Sequence, residues 1–283
     1  MRARKLSEKQ LKRPANNMKV PTFVPSLDTI MKGGIPEGSS ILLLGEPGAG
    51  NFEFALTSAA NLSRAIEGKI PRELSSYDIK ILEGILFVTF SKPSSEIIRI
   101  LSLSLESGLA ESLQAKLKIL DLSKIYYLQT QIPSTWTGAG SIKERENIIQ
   151  MMIKGIEAEG SNKLIIIDSM TDLITGRFID EKTMFDISRG LSRACKMWNS
   201  IVYVLLTQDV VDIRSQNILM EIYDGTLVFK WNAPESTSKR RRYMIIPKFT
   251  GVLPLIERER IERFDTEFDY NTGMIVLNTT RVK

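Results

Sequence analysis

Four short, nearly continuous apolar runs limit what this chain can fold into: Ser40–Leu44, Ile85–Phe90, Leu164–Asp168 and Ile201–Leu206. Apolarity without alternation marks strands covered on both faces. Between the runs, apolar residues recur at helical spacing. This predicts helices from about Phe52 to Ile66, from near Pro93 with Ser94 or Ser95 as cap, from about Lys143 to Glu159, and after Asp168. The helix after Pro93 carries Ile97, Ile98, Leu101 and Leu105, and the Lys143–Glu159 helix a buried stripe of Ile149, Met152, Ile153 and Ile156. The helix after Asp168 sets Met184, Ile187, Leu191, Ala194 and Trp198 on one face. Strands alternating with amphipathic helices pair in parallel through right-handed crossovers. Ile125–Leu128 reads as a further strand, and Pro133–Ser141 as an exposed loop presenting Trp136. Beyond Tyr223 the pattern changes to strand-like segments, Thr226–Lys230, Arg242–Phe249 and Gly273–Leu277, which read as an antiparallel extension of the same sheet. The expected class is α/β: a mainly parallel twisted sheet flanked by helices, with C-terminal antiparallel strands.

Charge divides the chain unevenly. Residues 1–19 hold seven cations against Glu8 alone, a net +6, so the rest carries about −1 of the total +5. The expected organisation is a basic N-terminal tail over residues 1–20 and one domain over 21–283. The absence of histidine excludes serine–histidine and cysteine–histidine catalysis, and the lone Cys195 excludes an internal disulfide and is expected to pack in the core. No apolar run reaches the roughly 18 residues of a membrane span. The basic N-terminus is followed by no apolar stretch, so a cytoplasmic protein without membrane contact is expected. The run Lys239, Arg240, Arg241 and Arg242 and the tail are candidates for nucleic-acid contact. A solvated hairpin tip and a solvated tail are the alternatives. Glu257, Glu259, Glu262, Asp265, Glu267 and Asp269 interleave with arginines and read as exposed surface.

The loop after the first apolar run bears on chemistry. Gly45-Glu46-Pro47-Gly48-Ala49-Gly50-Asn51-Phe52 follows a strand and opens a helix, with glycines at the spacing of a phosphate-binding loop. Inward-turned backbone N–H groups and the helix dipole make such a loop an anion cradle. Its usual side chains are missing. Asn51 stands where the motif needs lysine, and Phe52 where it needs a hydroxyl for Mg²⁺. Losing the charge-assisted lysine contact costs about 1.5–3 kcal/mol, on the order of 10–100-fold in affinity. The Phe52 ring is expected to take space a metal would need.

The stretch Ser26–Gly50, SLDTIMKGGIPEGSSILLLGEPGAG, resembles the opening of the RecA/RadA/KaiC-like ATPase family, and the similarity runs from about residue 22 to the C-terminus. The resemblance implies a RecA-like core in an archaeal-type single-domain member. It implies Asp168 and Ser169 at the Walker B position, Gln208 near a γ-phosphate sensor, and Lys248 facing a neighbouring subunit's phosphate. It also implies rings or filaments, with Phe23 of the Pro21–Pro25 segment as the anchor on a neighbour. The chain departs from the family where its catalytic glutamates would stand, at Ser91 and Lys92, and at Thr250 in place of an arginine.

Four losses aimed at one reaction predict a pseudo-ATPase with no catalytic residue and no resident metal: a regulatory or protein-interaction module, with weak ATP or ADP binding at most. Its expected partners are another protein, an active paralogue or further copies of itself. Two alternatives stand beside this reading. One is an ATPase whose missing charge comes from Lys92 or Lys248, with the metal on Asp168. The other is a nucleic-acid-binding recombination accessory.

Overall fold

The computed structural model of the protein describes residues 18–138, 147–232, 241–259 and 261–281. A two-stranded hairpin of β1 (Lys19–Val20) and β2 (Ile35–Pro36) encloses α1 (Pro25–Ile30). Strand β3 (Ser40–Gly45) passes through the glycine loop into α2 (Asn51–Ile66), and β4 (Gly84–Thr89) is followed by α3 (Ser94–Ser104) and α4 (Ser107–Lys116). Strand β5 (Leu117–Asp121) leads to the short α5 (Ser123–Leu128) and α6 (Ser134–Thr137), and α7 (Ile148–Glu159) to β6 (Lys163–Asp168). Helices α8 (Met170–Thr175) and α9 (Glu181–Trp198) precede β7 (Ile201–Thr207), and α10 (Ile213–Ile222) precedes β8 (Gly225–Asn232). The last elements are β9 (Arg241–Phe249), α11 (Leu253–Arg258), β10 (Ile261–Asp269) and β11 (Gly273–Arg281).

Nine strands form one sheet in the order β11-β10-β9-β8-β3-β7-β6-β4-β5. The six from β8 to β5 are parallel, and β9, β10 and β11 add antiparallel to β8. The central strands are apolar throughout because each feeds two cores. Ile41, Leu43, Tyr203 and Leu205 face α1 to α4, whereas Leu42, Leu44, Val202, Val204 and Leu206 face α7 to α10. The architecture is α/β, with a mainly parallel sheet between two helical layers and antiparallel strands at its C-terminal side, as the strand–helix alternation predicts.

Several local expectations are corrected. Ile125–Leu128 belongs to helix α5, and the strand is Leu117–Asp121. Asp121 explains the switch. Its Oδ1 accepts from the Ser123 amide (2.9 Å) and hydroxyl (2.6 Å), which starts α5 at once. Its Oδ2 accepts from the Ser94 amide (2.6 Å) and hydroxyl (2.8 Å), so α3 is capped from a neighbouring strand and not by Ser94 or Ser95. Helix α7 starts at Ile148, capped by Asn147, while residues 143–146 lie outside the described residues. Its buried stripe is Ile148, Met152 and Ile156. Ile153 is exposed and Ile149 half-buried. The Pro133–Ser141 segment contains the short helix α6 as far as its described residues go, with Trp136 exposed on it. The acidic stretch read as surface contains strand β10, whose Ile261, Phe264 and Thr266 are buried while charged neighbours point out.

Candidate functional site

Register delivers the site. Gly45 of β3 lies beside Thr207 of β7, and Thr89 of β4 beside Asp168 of β6, so four strands end on one edge of the sheet. Loops leaving the carboxyl edge of a parallel sheet converge on a crevice. Here they line a cavity of about 450 Å³ whose wall includes Gly48, Asn51, Phe52, Lys92, Asp168 and Asp172.

The glycine loop has the predicted strand–loop–helix setting. Gly50 has φ 121°, and a Cβ there would meet the Met274 methyl at 2.9 Å, so no other residue fits without displacement. Ala49 donates to the Glu46 carbonyl (2.9 Å). The amides of Gly48, Gly50, Asn51 and Phe52 donate to no acceptor among the described residues. Strand β8 braces the loop from outside. The Trp231 amide donates to the Glu46 carboxylate (3.0 Å) and the Trp231 indole to the Pro47 carbonyl (3.1 Å). Arg242 lies over the Trp231 ring at 5.0 Å and 3.4 Å from Glu53. Of the basic run, Lys239 and Arg240 fall outside the described residues. Arg241 is exposed, and Arg242 is committed to bracing the loop rather than free at a hairpin tip.

Asn51 does not reach over the loop. Its side chain packs against Gly45 and points Nδ2 at the Leu43 carbonyl (3.4 Å), at the long limit of a hydrogen bond. Phe52 packs partly against the core on the α2 side and forms part of the cavity wall.

Opposite the loop, Lys92 Nζ lies 3.0 Å from Asp168 Oδ2. Because β4 and β6 are neighbours in register, the residues just beyond Thr89 arrive at the end of β6. Ser91 likewise donates to the Asp172 carboxylate at 2.9 Å. Burial pushes the Asp168 carboxyl above its ordinary value, Lys92 pulls it back down, and Asp172 adds to the rise. For Lys92 burial works against the charge, but Asp168, Asp172 and Glu96 outweigh it and hold the ammonium above its usual value. The Asp168–Ser169 peptide is cis, and Ser169 caps α8 by accepting from the Asp172 amide.

These residues do not fit a divalent cation. Asp168 is occupied by an ammonium, Phe52 offers no oxygen, Glu46 is turned to Trp231, and Asp172 accepts from Ser91. Among the described residues no group of three or more metal-ligating side chains occurs.

Other expected positions fall outside this cluster. Phe23 is 1% exposed and packed in the core of its own chain, not presented on the surface as the anchor expectation has it. Its amide and the amide and hydroxyl of Thr22 converge on the Asp28 carboxylate, which turns the segment inward. Lys248 pairs in register with Thr226, at the end of β8 remote from the loop. It is held by the Glu221 carbonyl and lies 3.6 Å from the Glu221 carboxylate, so it cannot supply charge to its own chain's loop. Gln208 donates its amide to the Gly45 carbonyl (2.9 Å), one residue past the cavity wall at Thr207. Its side-chain Oε1 is buried with no partner among the described residues. Cys195 is fully buried, as expected, with Sγ 3.0 Å from the Gly38 carbonyl. Asp172 and Trp231 were not singled out from the sequence. Asp172 was legible as an acid four residues after Asp168; nothing local marks Trp231.

No family model matches the chain, and no curated protein matches it in sequence. Among solved structures, a KaiC-like protein of the hyperthermophilic archaeon Pyrococcus horikoshii OT3 is similar to it with a TM-score of 0.60. The identity is 18%, over 92% of this chain and 99% of that one. The likeness establishes a RecA-like, KaiC-like fold. Among the described residues no helix is long and apolar enough to cross a membrane.

Proposed function

We propose that this protein is a pseudo-ATPase: a RecA-fold module that does not hydrolyse nucleoside triphosphates and acts through its interactions with other proteins. The observation that carries the reading is the 3.0 Å contact between Lys92 and Asp168. Phosphoryl transfer depends on positioning and on neutralising charge around the transferred group. The aspartate that would organise a metal is instead neutralised internally by Lys92, which stands where the resemblance expects a carboxylate base. Asn51, turned to the Leu43 carbonyl, supplies no charge in its stead.

A protein-interaction role follows from what remains: a complete fold and a braced loop. An active paralogue or a second copy of the chain are the partners the fold class suggests. Arg242, tied to Trp231 and Glu53, weakens the nucleic-acid alternative.

The test is phosphate release from ATP with Mg²⁺, followed to long times beside Asp168→Ala. Both proteins are expected to give the same background. Turnover by the native chain that disappears in Asp168→Ala would sink the proposal.

A further inference from the structure

We propose that residues 1–17, the basic segment preceding the described residues, dock on their own chain in the apolar groove between α7 and α9. The inference does not depend on the non-catalytic reading. It gives the groove an occupant and the cations of the segment a protein contact.

The groove is open and apolar. It holds about 410 Å³, with Ile153 and Ile156 of α7 on one side and Ile187, Leu191 and Trp198 of α9 on the other. Ile153 is 49% exposed, although Met152 and Ile156 beside it are buried. The floor is bare at Gly190, in the interior of the eighteen-residue helix α9. Glycine inside a helix weakens it relative to alanine. A Cβ at Gly190 would meet nothing within 4 Å, so packing among the described residues does not require the glycine. A segment crossing the exposed backbone at close range would.

Position, reach and chemistry select residues 1–17 as that segment. Met18 lies at the foot of the groove. Its carbonyl accepts from the Glu37 amide (3.0 Å), the Glu37 carboxylate holds Lys80 (2.6 Å), and Lys80 donates to the carbonyl of Asn199 (3.2 Å), the residue after Trp198. The neighbouring Gly38 carbonyl accepts from Cys195 Sγ in the last turn of α9 (3.0 Å). From Trp198 back to Asp186 the helix rises about 18 Å at 1.5 Å per residue, and seventeen extended residues span up to about 56 Å. The segment carries Arg2, Arg4, Lys5, Lys9, Lys12 and Arg13 against Glu8, a net +5, with Leu6 and Leu11 among them. The groove lining has Glu157 and Asp186 and neither lysine nor arginine. Asp186 is shared with Lys182 and Arg189, while Glu157 stands exposed. Leucines for an apolar floor and cations for an acidic rim are complementary to this surface. Attachment at Met18 holds the segment at an effective concentration on the order of millimolar, so in dilute solution it outcompetes the same segment of a second copy.

The experiment is brief trypsin digestion of the folded full chain, with cuts inside residues 1–17 timed by mass spectrometry. Each rate is divided by that of the free synthetic peptide of the same sequence. Two variants are measured alongside: Gly190→Leu, which fills the groove floor, and Leu6→Ser with Leu11→Ser, which removes the apolar side chains of the segment. Cleavage follows the population of the undocked form. The native chain should be cut about tenfold more slowly than its peptide, the equivalent of 1.4 kcal/mol, and both variants should approach the rate of theirs. Protection should not change with protein concentration. Circular dichroism and thermal unfolding identify a Gly190→Leu chain that has lost its fold, and the doubly substituted segment then carries the test. A native segment cut as fast as its peptide, or native protection retained in a folded variant, would overturn the proposal. Protection that grows with protein concentration would assign the groove to a second copy and overturn docking on the same chain.

Discussion

Asp28 and Lys92 show how far a single side chain can be pushed by its surroundings. Asp28 is fully buried, and desolvation lifts its carboxyl to about 7, against the opposing pull of the Thr22 hydroxyl and the Thr22 and Phe23 amides. A group whose folded value is raised holds its proton more tightly in the folded chain than in the unfolded one. Stability is then greatest while the group is protonated in both states, and falls as pH rises from about 4 towards 7. Asp168, also raised, acts in the same direction. Denaturant unfolding should therefore show a chain more stable at pH 5 than at pH 8, by on the order of 2 kcal/mol. Asp28→Asn should flatten most of that slope; an equal slope in the variant would remove Asp28 as its source. Lys92 makes a second prediction. Lys92→Met leaves the Asp168 carboxylate buried without its cation, so the native protein should lose about 1–3 kcal/mol at neutral pH by denaturant titration. The loss should shrink in mild acid, where Asp168 can take up a proton. The sequence made Lys92 visible as a departure from a resembled pattern. It did not reveal the partner, because Lys92 and Asp168 lie 76 residues apart and meet only through the β4–β6 register.

At the scale of elements, Asp121 is a hinge post between two helices. One carboxylate receives four hydrogen bonds from Ser94 and Ser123, and those bonds hold it below its ordinary value although burial pushes the other way. Asp121→Ala should cost about 1–2 kcal/mol, within the range for losing a helix cap. Because its folded value is depressed, that stability is present at neutral pH and is lost as pH falls through the folded value. Thermal unfolding of the variant and native protein at neutral and acid pH checks both statements. The elements legible in the sequence were those whose pattern is local. The glycine loop, the apolar strands β3, β4, β6 and β7 and the long helices α2 and α9 all announce themselves within a window of about 18 residues. The misread elements depend on distant groups. Ile125–Leu128 has the β-prone composition of a strand, yet Asp121 starts a helix there and the edge position had already gone to Leu117–Asp121. Strand β10 was hidden because an edge-side antiparallel strand buries only alternate residues, and its charged half dominated the pattern.

For the whole molecule, the chain ends do as much as the centre. The β10–β11 hairpin adds Phe264 and Met274 to the core on the α2 side, and the Met274 amide donates to the Thr57 hydroxyl of α2 at 2.6 Å. Met274 also lies against Gly50 of the loop. We propose that residues 21–283 form one cooperative unit. Truncation after Glu259 should then destabilise the entire fold and not merely trim it, since burying two such side chains is comparable to a large part of a domain's net stability. A truncated chain retaining native thermal stability and far-ultraviolet circular dichroism would refute this.

The Lys92 ammonium has one further consequence. A cation built into the chain cannot be withdrawn by starvation or exchanged for another element. The end of β6 is therefore neutralised by the chain's own covalent structure, whatever ions the surrounding solution offers.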